Sequence, residues 1–234
     1  MKNEKLGEVS KGLSSENPKE RLKAINELTE IAVNLNSEDK KEVVKFLSSL
    51  AEDKEAFIRW NVAIALGKIG YKDAISILEK MVSDVHANVR FRVALALGLI
   101  GSENCISVLE KMVNDDYEIS GNFVVRGFVA LALGKIGHES CVPILAKLVE
   151  DKDPVVRWHV AVALGDIGHV SGVQHLAKLV NDENPFVRAH TAIALAQIGH
   201  ESGLKYLEQL EKDENPRVAK ISSEALKTLK SVIL

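Results

Sequence analysis

Much of what would give a function away by inspection is missing from this chain. Two cysteines in 234 residues exclude a disulfide-built scaffold. No glycine-rich phosphate loop, nucleophile elbow or zinc-ligand spacing occurs, which removes the common signatures of nucleotide binding, acyl transfer and structural zinc. No apolar run approaches the ~18 residues of a membrane span. The opening MKNEKLGEVSKGLSSEN has no apolar core of a secretory signal, so a cytoplasmic protein with no membrane partner is expected. Net charge is only −3, with both signs interspersed, and gives no global reason to expect nucleic acid or an anionic surface. No stretch alternates as a strand does. What is left, 46% hydrophobic and 27% charged, is the composition of an ordinary globular protein.

What the chain does have is repetition. IRWNVAIALGKIG (58–70), VRFRVALALGLIG (89–101), VRGFVALALGKIG (125–137), VRWHVAVALGDIG (156–168) and VRAHTAIALAQIG (187–199) align without gaps, and Arg59, Arg90, Arg126, Arg157 and Arg188 fall 31, 36, 31 and 31 residues apart. The one departure is a five-residue insertion within residues 114–123. Weaker copies begin at Asn17 and Asn215, as expected of end repeats that must face water. Within a unit, a glycine closes one helical pattern and DAISILEKMV (73–82) illustrates the second, with Ile75, Leu78 and Val82 at i, i+3 and i+7. Asn17-Pro18, Asp153-Pro154, Asn184-Pro185 and Asn215-Pro216 mark helix starts. The expected fold is all-α: a right-handed α-solenoid of about seven antiparallel helix pairs. It forms a single domain over 1–234, with an atypical amino-terminal repeat and cap (1–54), five regular repeats (55–200) and a capping repeat (201–234).

The unit P-x-V-R-x-x-A/V-A-x-A-L-G-x-I-G resembles HEAT-like repeats, in particular the short 31-residue variety of phycobilisome lyase-type proteins, over nearly all of the chain. The resemblance implies that the second helix of each pair lines a concave surface. Several repeated residues read as structural. An aspartate stands six residues before the arginine position at Asp53, Asp84, Asp151, Asp182 and Asp213, with Asp115 matching once the insertion is removed. The acid and the guanidinium are expected to bridge to each other and to exposed backbone groups. Ala63, Ala65 and glycines 67, 98, 134 and 165 are expected where helices approach closely. Cys105 and Cys141 occupy equivalent positions of adjacent repeats and are expected to stay reduced thiols.

The candidate site comes from helix angles. With Ile58 at zero, Val62, Leu66 and Ile69 fall at about 40°, 80° and 20°, and Trp60, Ile64 and Lys68 at about 200°, 240° and 280°. A solvent-facing strip should be polar. Here it reads Trp60, Asn61, Ile64, Lys68; Phe91, Arg92, Leu95, Leu99; Gly127, Phe128, Leu131, Lys135; Trp158, His159, Val162, Asp166; Ala189, His190, Ile193, Gln197. This predicts a non-catalytic protein-binding module or scaffold, its partner a peptide or amphipathic segment held on Trp60, Phe91, Phe128 and Trp158. Polar groups at the edge, Asn61, Arg92, Lys135, His159, Asp166 and His190, would set orientation. Burial of the strip within the monomer, and self-association through it, are the competing expectations. Tyr117, Ile119 and Phe123 in the insertion either flank the groove or form a plain surface loop.

No cofactor or metal is expected. Deoxyhypusine hydroxylase, an enzyme built from similar repeats, carries His-Glu pairs directly after the repeated arginine. Those slots here hold Trp60-Asn61, Phe91-Arg92, Gly127-Phe128, Trp158-His159 and Ala189-His190. His138-Glu139 and His200-Glu201 follow the closing glycine and read as caps. His159 and His190, one repeat apart, lack further ligands for a shared metal. The family resemblance leaves a bilin lyase-like subunit as the enzyme alternative. Nucleic-acid binding is a second alternative, offered only the mild basic set Lys68, Arg92 and Lys135, which Asp166 opposes.

Overall fold

Several of the long helices start, and five of them stop, where local chemistry directs them. In the computed structural model, which describes residues 2–116, 118–119 and 123–233, Asn17, Asp153 and Asn184 accept a hydrogen bond from the backbone N–H two residues on, with proline opening the helix behind them. Asn215 accepts from the Arg217 N–H at 3.0 Å in the same way. At the opposite end, Gly137 takes φ +71°, the left-handed cap that a side chain would strain.

The chain divides into two compact units, residues 1–112 and 113–234. The first contains α1 (Lys2–Ser10), α2 (Pro18–Val33), α3 (Ser37–Ser48), α4 (Ala56–Ile69), α5 (Ile75–Met81), α6 (Ala87–Ile100) and α7 (Ile106–Glu110). Here α4 packs between α2 and α6, while α3 lies against α2 and α4, and α5 against α6. The second contains β1 (Glu118–Ile119), β2 (Phe123–Val124), α8 (Val125–Ile136), α9 (Val142–Leu145), α10 (Pro154–Ile167), α11 (Val173–Leu179), α12 (Pro185–Ile198), α13 (Leu204–Leu210) and α14 (Pro216–Ile233). Helices α8, α10, α12 and α14 stand side by side, and α9, α11 and α13 cover one side of that row.

The core lies between the two layers of each unit. Val62, Leu66 and Ile69 are buried as the angles predict, with Leu78 opposite; in the second unit Val160, Leu164, Leu176, Leu195 and Leu207 do the same. Small residues set the spacing. A Cβ on Gly67 would stand 2.7 Å from the Cα of Ala96, and one on Gly134 2.7 Å from the Cα of Ala163, so these helix pairs meet with their backbones almost in contact. Cys105 and Cys141 are buried thiols, and burial pushes the Cys105 thiol up.

Two expectations change. The second helical pattern is shorter than its apolar spacing suggests: in 73–82, Lys72–Ala74 form a 3-10 turn and only Ile75–Met81 are α-helical. A short strand pair also exists. Glu118 faces Val124 and Ile119 faces Phe123 in antiparallel register, so the described residues here pair as two short strands where a plain loop is expected from the sequence. Tyr117 lies outside the described residues, as do the side chains of Ile119 and Phe123. Among the described residues no helix is long and apolar enough to cross a membrane.

Candidate functional site

The repeated arginines form a ladder, but not with the acids of their own repeat. Arg59 donates to Asp84 through Nε at 2.5 Å and Nη2 at 2.9 Å, and its Nη1 donates back to the Asp53 carbonyl at 2.7 Å. Arg157 repeats this with Asp182 at 2.6 and 2.8 Å and the Asp151 carbonyl at 2.9 Å. Arg188 does so with Asp213 and the Asp182 carbonyl, and Arg126 with Asp151 and the Asp115 carbonyl. The expected bridge within a repeat is therefore corrected: the side-chain pair joins one repeat to the next, and the repeat's own acid is met through its backbone. Each such carboxylate also accepts an N–H two residues on, as Asp182 does from Asn184 at 2.8 Å. Fully engaged groups of this kind hold the stack and offer nothing to a ligand.

Helices α4 and α10 are apolar around most of their circumference because they are covered on three sides: a long neighbour on each flank and the short helices behind. One strip stays open on each. In the first unit, Trp60, Asn61, Ile64, Phe91, Arg92 and Leu95 are half-buried, Lys68 is exposed and Leu99 is 49% exposed. The Trp60 ring meets Phe57 edge-on at 6.5 Å. Asn61 turns back to donate to the Phe57 carbonyl at 2.6 Å, and the Arg92 guanidinium lies 4.5 Å from the Phe91 ring centroid.

In the second unit, Phe128, Leu131, Trp158, Val162 and His190 are half-buried, Lys135, Asp166 and Gln197 are exposed, and Ile193 is 39% exposed. Trp158 sits between His159 and His190, with centroids 4.8 and 5.1 Å away. His190 Nδ1 lies 2.8 Å from the Phe186 carbonyl; a carbonyl only accepts, so Nδ1 carries the proton.

His159 is not the edge group expected from sequence. It is 8% exposed, and its ring fills the space left by Gly127, where a Cβ would lie 2.8 Å from His159 Nδ1. That slot holds Trp60, Phe91, Trp158 and Ala189 in the other repeats. Burial lowers the His159 pKa to about 4 against the attraction of Asp153, with the His190 charge lowering it further. Its Nδ1 and the Trp158 Nε1 are buried without a hydrogen-bond partner.

The angle rule also missed a residue. Phe186, 58% exposed, lies one position before Val187, at the angular position of Phe57 on α4, which falls at about 260° on the open strip. With Ala189, His190, Arg217 and Ile221 it lines a cavity of about 200 Å³ between α12 and α14. Extending the helix by one residue at its amino end would have found it. His138 and His200 cap as expected, accepting the N–H of Ser140 at 3.3 Å and Ser202 at 3.2 Å. Among the described residues no three His, Cys, Asp or Glu side chains gather closely enough to hold a metal ion.

The model of HEAT repeats matches residues 8–87, 118–186 and 174–232, and that of the PBS lyase HEAT-like repeat matches 89–115. The archaeal HEAT-like repeats protein from Thermococcus onnurineus NA1 is similar in structure over 98% of both chains, with TM-score 0.61 and 14% identity. The complex of CpcE and CpcF of phycocyanin lyase from Nostoc sp. PCC7120 gives TM-score 0.58 at 20% identity, covering 94% of this chain and 93% of that one. A designed armadillo repeat protein in complex with the peptide (KR)4 gives 0.50 at 19%, covering 96% and 99%. No curated protein matches the sequence. At such identities the likeness speaks for the fold, and function has to be argued from the site.

Proposed function

The chain belongs to the HEAT-repeat family, and from that premise we propose that it is a non-catalytic protein-binding module or assembly scaffold, with the open face of its long helices as the docking surface. One observation carries the reading. A strip that should be polar is lined by Trp60, Phe91, Leu95 and Leu99 in the first unit and by Phe128, Leu131, Trp158 and Ile193 in the second, none of them buried by the fold. Aromatic side chains with a wet edge and a dry face are the residues that carry interface energy. Similar folds occur in a two-protein complex of CpcE and CpcF and in a designed protein bound to a peptide.

The test begins with a partner identified by mass spectrometry after co-purification and then produced separately. Trp158→Ala with Phe128→Ala should weaken calorimetric binding by about three orders of magnitude, each ring being worth about 2 kcal/mol once desolvated, while the far-ultraviolet dichroism stays helical. Unchanged affinity in a helical double variant rejects the docking surface. Uptake of added bilin with visible absorbance would replace the scaffold reading by a lyase-type one, and a salt-sensitive gel shift would replace it by nucleic-acid binding.

A further inference from the structure

Arg92 stands apart from the ladder. The guanidinium of Arg59, in the same unit, meets a carboxylate and two backbone carbonyls. The half-buried Arg92 meets only the face of Phe91, at 4.5 Å, and its Nε is buried with no acceptor. Among the described residues it has neither a carboxylate nor a hydrogen-bond partner. The two helices that bear this open strip supply no counter-charge, since α4 (AFIRWNVAIALGKI) and α6 (ANVRFRVALALGLI) contain no aspartate or glutamate. The remaining charge on the open strip of these two helices is the exposed Lys68.

A planar guanidinium laid on an aromatic ring and lacking an acceptor is pre-set for a carboxylate, which it binds through paired N–H groups. Leu95 lies about one helical turn along from Arg92 and Leu99 one turn further. With Ile64 they offer aliphatic surface beside the charge. We propose that the open face of the first unit receives an acidic amphipathic peptide segment of a partner protein, an aspartate or glutamate on Arg92 and large apolar side chains against Ile64, Leu95 and Leu99. This inference rests on the protein-binding reading and specifies its partner. A phosphate would satisfy Arg92 equally, but single-stranded nucleic acid needs a cationic track along its backbone, and two cations beside an aliphatic strip do not make one.

The experiment is a display selection from a library of random 16-residue peptides on the immobilised full chain, with Arg92→Gln and Trp60→Ala as parallel baits. Enriched peptides should share an acidic residue beside Leu, Ile or Phe. Their anisotropy-measured affinity should fall at least tenfold on Arg92→Gln. Replacing the peptide's own acid by its amide should cost a similar factor with the native protein, a comparison that depends on no protein variant folding. Enriched peptides without an acid, or with affinity indifferent to Arg92→Gln and to the amide swap, overturn the inference; if they still lose binding on Trp60→Ala, the protein-binding reading stands without it. A library that yields no binder overturns both. A 20-nucleotide single-stranded DNA that binds the native chain but not Arg92→Gln, and displaces the peptides, gives the site to nucleic acid.

Discussion

Arg157 shows what one rung of the ladder holds. Its guanidinium reaches Asp182 with two bonds and the Asp151 and Lys152 carbonyls with another pair, and both side chains of the ion pair are nearly out of water. Arg157→Met would strand a buried carboxylate, and we expect a loss of about 3 kcal/mol in urea denaturation. Adding Asp182→Leu should recover much of that, because the orphaned charge is then gone; a double variant as weak as the sum of the singles would contradict this account. His159 makes a second prediction at this scale. Its folded pKa of about 4 lies below the unfolded value of about 6.5, so its contribution is complete above about pH 6.5 and declines as pH falls toward 4, by at most about 3 kcal/mol. His159→Gln should flatten that slope in urea midpoints taken at pH 7 and 4.5, with Asp153 and His190 as the charges that modulate it. The burial of His159 was not legible in its own repeat, because the space it fills is made by Gly127 one repeat earlier.

At the scale of elements, the closing ends of the repeated long helices and the starts of α2, α10, α12 and α14 were legible almost to the residue, since proline, capping side chains and closing glycines are local signals, while α4, α6 and α8 begin without a side-chain cap. The short helices were not: apolar residues three apart suit a 3-10 turn as well as an α-helix. Caps at Ser102, His138, His169 and His200, each accepting the N–H two residues on, set the tighter turn. The open strip was legible as an angle, yet not its narrowness, because flank-to-flank packing of long helices buries residues that a single core stripe leaves out. That packing depends on Gly134. Gly134→Ala should push α8 off the backbone of α10 and cost roughly 2 kcal/mol, read as a lower melting temperature. Gly7→Ala, where a Cβ meets nothing within 4 Å, should hold or slightly raise it.

Over the whole molecule, two carboxylates of the ladder, Asp84 and Asp213, add to the response to acid. Burial works to raise the Asp84 carboxyl, but hydrogen bonds from Arg59 and the His86 N–H, with the Arg59 charge, hold it below the usual carboxylate range. The Arg188 hydrogen bond does the same for Asp213 against its burial. Both folded pKa values lie below the unfolded one, so their stabilisation is present above about pH 4 and is lost as pH falls through the folded values. A dichroism titration should show acid unfolding below about pH 4, and Asp84→Asn should weaken the protein at pH 7 while removing part of that acid dependence. The direction of the rungs could not be read from spacing: an aspartate six residues before the next arginine is also 25 residues after this one, and the two distances sum to one repeat. Only the folded chain shows the side chain reaching forward and the carbonyl meeting it from behind.

A forward reach of one repeat gives every module its own plug and its own socket. A copied stretch of 31 residues would bring both and leave no charge orphaned at either join, so a gene could lengthen or shorten such an array by whole modules. In α14 the position of the plug holds Ala219, and the Asp213 socket just before that helix is filled by Arg188.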